Sequence, residues 1–483
     1  MKLLRIRVPD FRILKDVDIQ FDKNFSPNIF PLGSQNGGGK STLLQLIFIL
    51  LHCCTNPERK VFIKNLLQGF VVNDDSSERE LATINIWDDE KEVELRFLVC
   101  KNNYIEKQQD NGYKDNDDLG LSNFQEIENI INKIYKTEQD IEQIEKAINK
   151  LEIDQKIASD SIKDKRLMEV MSDLISADII KPRKFSTIEE LKQRLENILE
   201  IYKINLDEFY KNIAKLKVVI QKLSGLLSDK NLLYICNYSS GLSKDEDEVL
   251  LCQINNNLDI KQAKQWLRKL EQKIFLAAPI SQVFLFTSQT SRRLLFEQNS
   301  HRDYDLDLQN SKSKLPGLFT YDFFPVDLLI KAFTTARDED FRDAIDTEGH
   351  YGNRYKNLLN ELNLILVNKK VTIAKDFSKV KFKLDKGDSS IEIYPEDLSH
   401  GELKRLSIYM WIKYNKIEDA IVLMDEIEIA LHPDWQYQII ADLEQWSPNN
   451  QYILATHSYE LCQALTPAHV RELEPKLIKS NNQ

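Results

Sequence analysis

Residues 32–42 read LGSQNGGGKST, and Gly33, Gly37, Gly38 and Gly39 fall in this stretch although the whole chain holds only 14 glycines. Glycines lack a Cβ, so successive backbone N–H groups can turn inward around phosphate oxygens. Lys40 would reach the outer phosphates as a point charge, and the Ser41 hydroxyl would supply the hard oxygen ligand that Mg²⁺ requires. The stretch departs from the usual spacing: six residues before Lys40 stands Ser34, with Gly33 one place earlier. Either Ser34 tolerates the turn or Gly33 shifts its register. The candidate nucleotide contacts in this loop are Ser34, Asn36, Gly37, Gly38, Gly39, Lys40, Ser41 and Thr42.

The far end of the chain supplies the complementary chemistry. Residues 420–433 read AIVLMDEIEIALHP, with the apolar run Ile421–Met424 ending in Asp425 and Glu426. One carboxylate there can hold Mg²⁺, directly or through water, and a second can orient and polarise an attacking water. Asp425 suits the first part and Glu426 the second. In YILATHS, residues 452–458, a second apolar run ends in Thr456, His457 and Ser458. A histidine at that place could contact a γ-phosphate. In LSHGE, residues 398–402, Ser399 and Gly401 open an amphipathic helix whose first N–H groups could bind an anion.

These residues need elements to hold them. Val17–Phe21 and Ile29–Leu32 have strand character, and an apolar helix is expected from Ser41 onward. Strand, glycine loop and helix is the context that a phosphate loop requires. The runs at 421–424 and 452–455 read as buried parallel strands, whose carboxyl ends are where ligands bind in open α/β sheets. The expected fold class is therefore α/β. Residues 82–87 and 92–100 read as an antiparallel pair, and the polar stretch 101–120 that follows has no periodicity and reads as mobile.

Ile127, Ile130, Ile134, Ile141, Ile144, Ile148 and Leu151 recur at alternating three- and four-residue steps, as do Leu206, Phe209, Ile213, Leu216, Ile220 and Leu223. Two such helices predict a short antiparallel coiled coil or a helical lobe packed on the head. Ser186-Thr187 before Glu189-Glu190 predicts a helix start. Residues 300–316 read as a polar linker, and the aromatic stretch 318–333 as a segment packed into the head or an interface. The expected organisation is an N-terminal lobe at 1–110, a helical insertion at 111–275, a connecting helical segment at 276–370 and a C-terminal lobe at 371–483.

The net charge of −11 leaves no global basic field to draw the molecule onto nucleic acid. Lysines around 179–194 could form a local contact or simply a solvated face. The six cysteines are scattered without a C-x-x-C pair, as expected of reduced cytosolic thiols. The N-terminus lacks the apolar region of a signal peptide, and the longest apolar run, Leu43–Cys54, is too short to span a bilayer. A cytoplasmic protein with no membrane partner is expected.

Taken in order, these motifs resemble those of ABC-type P-loop ATPases of the SMC, RecF and OLD branch. LSHGE is similar to their signature L-S-x-G-E/Q, MDEIEIALHP to their Walker B segment, and ATHS to their switch-histidine motif. PDFRILKDVDIQF, residues 9–21, is similar to their first strands, whose arginine touches nucleotide. The resemblance implies an ATPase head that uses ATP and Mg²⁺ and dimerises head to tail, with Ser399, Gly401 and Glu402 acting on the partner's nucleotide. It makes Glu426 and His457 the catalytic pair, Arg12 a nucleotide contact, and a glutamine a further metal contact. That glutamine is expected after a strand at Val283–Thr287, which selects Gln289, with Gln282 as its rival.

The OLD members carry a nuclease domain after the ATPase; residues 459–483 are too few for one and the insertion shows no H-N-H or D-x-D constellation, so no nuclease activity is expected of this chain itself. The architecture is most similar to the ATPase component, PtuA, of Septu-type and retron-linked antiphage systems. That resemblance implies a separate HNH nuclease partner, and in the retron case a reverse transcriptase with its RNA–DNA product. A RecF-like repair ATPase binding duplex DNA directly, and an ATP-bound scaffold that sequesters a toxin, stay open beside it.

Overall fold

The apolar runs at 421–424 and 452–455 form adjacent central strands of a parallel sheet, and both are fully buried. In chain order the strands are β1 (Lys2–Phe11), β2 (Leu14–Gln20), β3 (Ile29–Gly33), β4 (Glu78–Trp87), β5 (Glu92–Lys101), β6 (Leu232–Ser239), β7 (Asp247–Asn255), β8 (Ile274–Ala278), β9 (Leu318–Thr320), β10 (Lys369–Ile373), β11 (Val380–Lys386), β12 (Ser389–Ile393), β13 (Ile421–Asp425), β14 (Gln451–Ala455) and β15 (Arg471–Glu472). The computed structural model describes all residues except 35–36, 74, 106–119, 158–159, 178, 182–186, 240–246, 256–259, 295–300, 322–325, 347–348, 367, 375, 387–388, 395–396 and 474–483. Most of the polar stretch expected to be mobile thus lies outside the described residues, as does Ser186.

The parallel sheet has the order β15-β3-β14-β13-β8-β9. A sheet covered on both faces needs apolar residues at successive positions, not alternate ones. β13 shows this: Ile421 and Leu423 face one core, Val422 and Met424 the other. The first core fills the space between this sheet and a second one, ordered β2-β1-β4-β5-β7-β6. In the second sheet β1 buries Leu3, Ile6, Val8 and Phe11, with an irregularity in its register between Leu3 and Arg5. The expected helix after the glycine loop is Lys40–Cys53, and it is buried nearly all round, as a helix inside a core must be. The opposite core packs the helices Val326–Asp346, His400–Tyr414 and Pro433–Trp446 on the parallel sheet, with Leu329 and Phe333 from the aromatic stretch at its centre. An antiparallel sheet, β10-β11-β12, joins the same core through Val371 and Phe382.

The chain divides into two compact units. The first holds residues 1–99, 231–245 and 250–483; the second holds 100–230 and 246–249. The second unit is helical. Asn123–Ile157 and Ile188–Ser228 run antiparallel, as the pairs Lys192–Glu152, Lys203–Glu145 and Tyr210–Glu138 require. The expected seam residues Ile130, Ile134 and Ile213 cluster together, and a third helix, Asp160–Ser176, adds Leu167, Val170 and Leu174 against Ile144 and Leu151. Thr187 caps the long helix by accepting from the Glu190 N–H at 3.1 Å. Among the described residues no helix is long and apolar enough to cross a membrane.

Two local expectations are corrected. The expected strand Val283–Thr287 is instead a pair of 3₁₀ turns, Ile280–Gln282 and Phe284–Phe286. Pro279 ends β8, and the apolar side chains are used to fill a niche rather than to pair. Phe286 packs edge-on against Phe48 and near-perpendicular to Phe62, while its carbonyl accepts from Asn65 at 3.1 Å. Gln289, expected at a strand end, therefore opens a short helix, Gln289–Leu294. The expected linker 300–316 contains a helix, His301–Lys314, anchored by buried Leu308 with Leu315 just beyond it.

The glycine-loop helix is tied to its neighbours by a half-buried polar knot around buried His52. Arg59 and Thr55 both hold the Glu271 carboxylate, and Arg59 also reaches His52 Nε2 at 3.2 Å. His52 Nδ1 donates to the Glu271 carbonyl at 2.9 Å. Burial, reinforced by the Arg59 charge, pushes the His52 pKa down to about 4. An unfolded histidine titrates near 6.5. Between those values the unfolded chain binds the extra proton, so this contribution is intact above the unfolded pKa and is lost as pH falls toward the folded one. Stability is expected to drop by on the order of 1 kcal/mol per pH unit across that window. Thermal midpoints of the native chain and of His52→Gln, compared at several pH values, check this: the variant's profile should be the flatter one.

Candidate functional site

Parallel pairing brings three strand ends to one place. The register Asp425↔Ala455 sets the end of β13 beside that of β14, and Ala455↔Leu32 sets β14 beside β3, which leads into the glycine loop. The loop can enter the helix so tightly only through glycine at the last position. Gly39 has φ +86°, and a Cβ there would come within 2.6 Å of Leu14 and 2.9 Å of Ile13. Gly37 is also left-handed, at φ +79°. Asn36 lies outside the described residues. Thr42 is half-buried in the first helical turn.

The sequence candidates from both ends of the chain meet here. Lys40 Nζ donates to Ser34 Oγ at 3.0 Å and to the Ser34 carbonyl at 3.3 Å, and lies 3.0 Å from His457 Nε2, which accepts. Ser34 thus occupies the position where glycine is usual and adds a hydroxyl toward the lysine. Burial lowers the Lys40 pKa, against the opposing pull of Asp425, Glu428 and Glu426. Ser41 Oγ donates to Asp425 Oδ1 at 3.1 Å. Asp425 is 2% exposed, and burial pushes its carboxyl up to about 7; Ser41 opposes the rise, and Glu426 and Glu428 add to it.

Asp425 Oδ2 is buried with no hydrogen-bond partner. A buried carboxylate oxygen without a partner calls for an ion or a water. Hard oxygens from Ser41 and Asp425, side by side, fit Mg²⁺, which takes one or two protein ligands and leaves the rest to substrate phosphates and water. Among the described residues no group of three or more His, Cys, Asp or Glu side chains is placed to hold a metal ion.

Glu426 follows at the strand end, half-buried, with its backbone in the left-handed region at φ +50°. That conformation costs free energy for a residue with a Cβ and persists only where the surroundings enforce it. Here the Glu426 N–H donates to the Ala455 carbonyl at 2.9 Å, and the Glu426 carbonyl accepts from Lys404 Nζ at 3.0 Å. Lys404 also donates to the Ile429 carbonyl at 3.0 Å and rests 4.1 Å from the Tyr321 ring centroid.

The signature segment opens the helix that carries Lys404. Ser399 is exposed and caps the helix His400–Tyr414, accepting from the Glu402 N–H at 3.2 Å. Glu402 closes the capping box by accepting from the Ser399 N–H at 2.9 Å. Its carboxylate is 3% exposed and takes the Lys369 ammonium at 2.6 Å. Burial works to raise the Glu402 pKa, but Lys369 and Ser399 outweigh it and the net shift is downward. Gly401 is required by close approach: a Cβ would lie 2.9 Å from both the Ala430 carbonyl oxygen and the Trp435 ring. Arg405 fixes the same helix through Asp442, at 2.6 and 3.0 Å, with both side chains buried.

Arg12 sits in the β1–β2 turn at φ +54° and donates to the Leu66 carbonyl at 3.0 Å, at the C-terminus of the helix Lys60–Leu67. Burial and the neighbouring Arg292 lower its pKa. The turn itself adjoins the glycine loop, since Ile13 and Leu14 crowd Gly39. The side chains of Gln289 and Gln282 lie outside the described residues. Sequence reasoning missed Lys404, Lys369 and Glu428. Only the third had a signal, the acid spacing Asp425, Glu426, Glu428 in one loop.

An α/β head in which a glycine loop, a strand-end Asp-Glu pair and a strand-end histidine converge is an ABC-type P-loop ATPase head. The chain belongs to the AAA ATPase domain family, whose model matches residues 1–462. Among curated proteins it is similar to the Retron Vc95 probable ATPase of Vibrio cholerae serotype O1 biovar El Tor, 26% identical over 175 residues, which cover 35% of this chain and 32% of that one. It is also similar to the Retron Ec83 probable ATPase of Escherichia coli, 33% identical over 89 residues, covering 18% and 16% respectively. The matches thus span a third or less of those relatives' length. Among solved structures, the Smc head domain with an extended coiled coil bound to the C-terminal domain of ScpA, from Pyrococcus furiosus, aligns over 96% of this chain and 91% of that one, at 12% identity and a TM-score of 0.29. The SmcHead bound to the C-winged helix domain of ScpA aligns over 96% and 92%, at 13% identity and a TM-score of 0.32.

Proposed function

We propose that this chain binds and hydrolyses ATP in a head-to-tail dimer and thereby controls a separate effector, an HNH nuclease, in antiphage defence. The observation that carries the ATPase reading is the meeting of Lys40, Ser41, Asp425 and His457 within hydrogen-bond distance, with Glu426 next in the chain. Gly37, Gly38, Gly39, Lys40 and Thr42, with Ser34, Asn36 and Arg12, cradle the nucleotide's phosphates and its surroundings. Ser41 and Asp425 would hold Mg²⁺, with Gln289 as a further contact, and the ion would supply neutralisation of phosphate charge. Glu426 accepts a hydrogen bond from the attacking water and aligns it with the γ-phosphorus. The water oxygen bonds to phosphorus, ADP leaves, and the water's proton passes to Glu426 and then to phosphate. His457 Nε2, 3.0 Å from Lys40 Nζ, faces the position of the γ-phosphate and contacts one of its oxygens.

Ser399, exposed at the helix start, and Gly401, buried beside it, serve the nucleotide of the facing chain. Glu402 supports that helix start from within. The names of the two retron relatives support a defence setting, with a reverse transcriptase and its RNA–DNA product as additional partners. The test is affinity capture of the native chain beside Glu426→Gln in ATP and Mg²⁺, with mass spectrometry of what co-purifies. A stoichiometric small nuclease is the expected result. A chain that arrives alone while the trapped variant retains duplex DNA would instead establish the repair-type reading.

A further inference from the structure

Glu428 lies two residues beyond the proposed base, and its two carboxylate oxygens have different surroundings. Oε1 accepts the backbone N–H of His457 at 2.6 Å. Oε2 is buried and has no hydrogen-bond partner. The next switch residue is held as well: Ser458 Oγ donates to Gln436 Oε1 at 2.7 Å, and Gln436 Nε2 donates to the Leu431 carbonyl at 2.8 Å. The loop after β14 is therefore fastened to the loop after β13 at two successive residues, and at His457 only a side-chain carboxylate makes the fastening.

Its cost argues that the fastening has a purpose. A backbone N–H at a strand end can be satisfied by water, and burying a carboxylate oxygen without a partner is unfavourable. With Oε1 in place, the His457 ring is held 3.0 Å from Lys40 Nζ, at the spot where Lys40 meets the outer phosphate.

We propose that Glu428 is a positioning residue for His457: its carboxylate fixes the switch-loop backbone so that Nε2 faces the γ-phosphate position. This rests on the ATPase reading. The geometry separates the hydrogen bond from the charge. Glu428→Gln keeps an acceptor for the His457 N–H in an isosteric side chain, whereas Glu428→Ala removes it.

Expected for Glu428→Ala is a ~10- to 100-fold fall in kcat, the range typical when a residue orienting a functional ligand is lost. Two binding readouts accompany it. The preference for ATP over ADP, measured as a ratio of dissociation constants by equilibrium titration, should collapse toward that of His457→Ala, while ADP affinity stays within about 3-fold. Glu428→Gln should restore both. In the His457→Ala background, Glu428→Ala should change neither quantity further, because a residue acting through another has no effect once the other is gone.

A full additional loss in that background overturns the proposal, and so does a Glu428→Gln variant as impaired as Glu428→Ala. Failure of the underlying ATPase reading looks different: Glu426→Gln would then hydrolyse ATP like the native chain, or no variant would bind ATP. Should Glu428→Ala not fold, Glu428→Met, which keeps the side-chain length but offers no oxygen acceptor, takes its place with the same expected losses and the same double mutant with His457→Ala.

Discussion

Replacing Glu426 by glutamine is expected to lower steady-state ATP hydrolysis by ~10²- to 10⁴-fold, the usual worth of a positioned general base. Nucleotide binding survives, because the loop, Lys40, Ser41 and Asp425 are untouched. The substitution is isosteric, so the backbone conformation at φ +50° and its two hydrogen bonds, to Ala455 and from Lys404, are retained. The variant therefore accumulates the ATP-bound state and shifts toward dimer, which sedimentation in ATP and Mg²⁺ reads beside a phosphate-release assay. If turnover persists within a few-fold of the native rate, Glu426 is not the base. If turnover and ATP binding vanish together, the residue is structural.

What made the site legible was burial. β13 and β14 are covered on both faces, so their apolar runs are continuous and the polar residues that interrupt them stand out. Asp425, Glu426 and His457 were found that way, and Gly39 by a steric requirement that leaves its mark as glycine. Partners brought from a distance left no such mark. Lys369 reaches Glu402 from β10, and Lys404 reaches back to the loop after Glu426; a lysine in a strand or helix reads as solvated surface until its acceptors are known.

The same ambiguity produced the two corrections. An apolar run such as Val283–Phe286 fits a strand or a buried turn equally well, and only the niche beside Phe48 and Phe62 decides. A polar run such as His301–Lys314 can be helical while burying little more than Leu308. The second unit was legible because its seams repeat, yet the helix Asp160–Ser176 that completes one of them was not, since its charged first half reads as solvated surface and its apolar spacing, Leu167, Val170, Met171 and Leu174, spans only two turns.

The signature segment poses the sharper question, because its residues are well ordered by contacts that involve no nucleotide. Ser399, Glu402 and Lys369 form a closed set, and Gly401 is pinned under Trp435. A helix start that is preorganised and left exposed is suited to act on another molecule's phosphates. If it acts in trans, two dead variants must rescue one another. Lys40→Ala loses its own phosphate contact but keeps an intact signature helix; Ser399→Arg keeps its nucleotide site but presents an obstructed one.

Each variant alone is expected to lose nearly all hydrolysis. Mixed in equal amounts, half the dimers are heterodimers, and in each of these one of the two sites pairs an intact loop with an intact signature. About a quarter of native activity should return, by the arithmetic of an isologous dimer with two composite sites. Activity that stays at the level of the separate variants would mean that Ser399 serves its own chain, and the head-to-tail arrangement would fall with it.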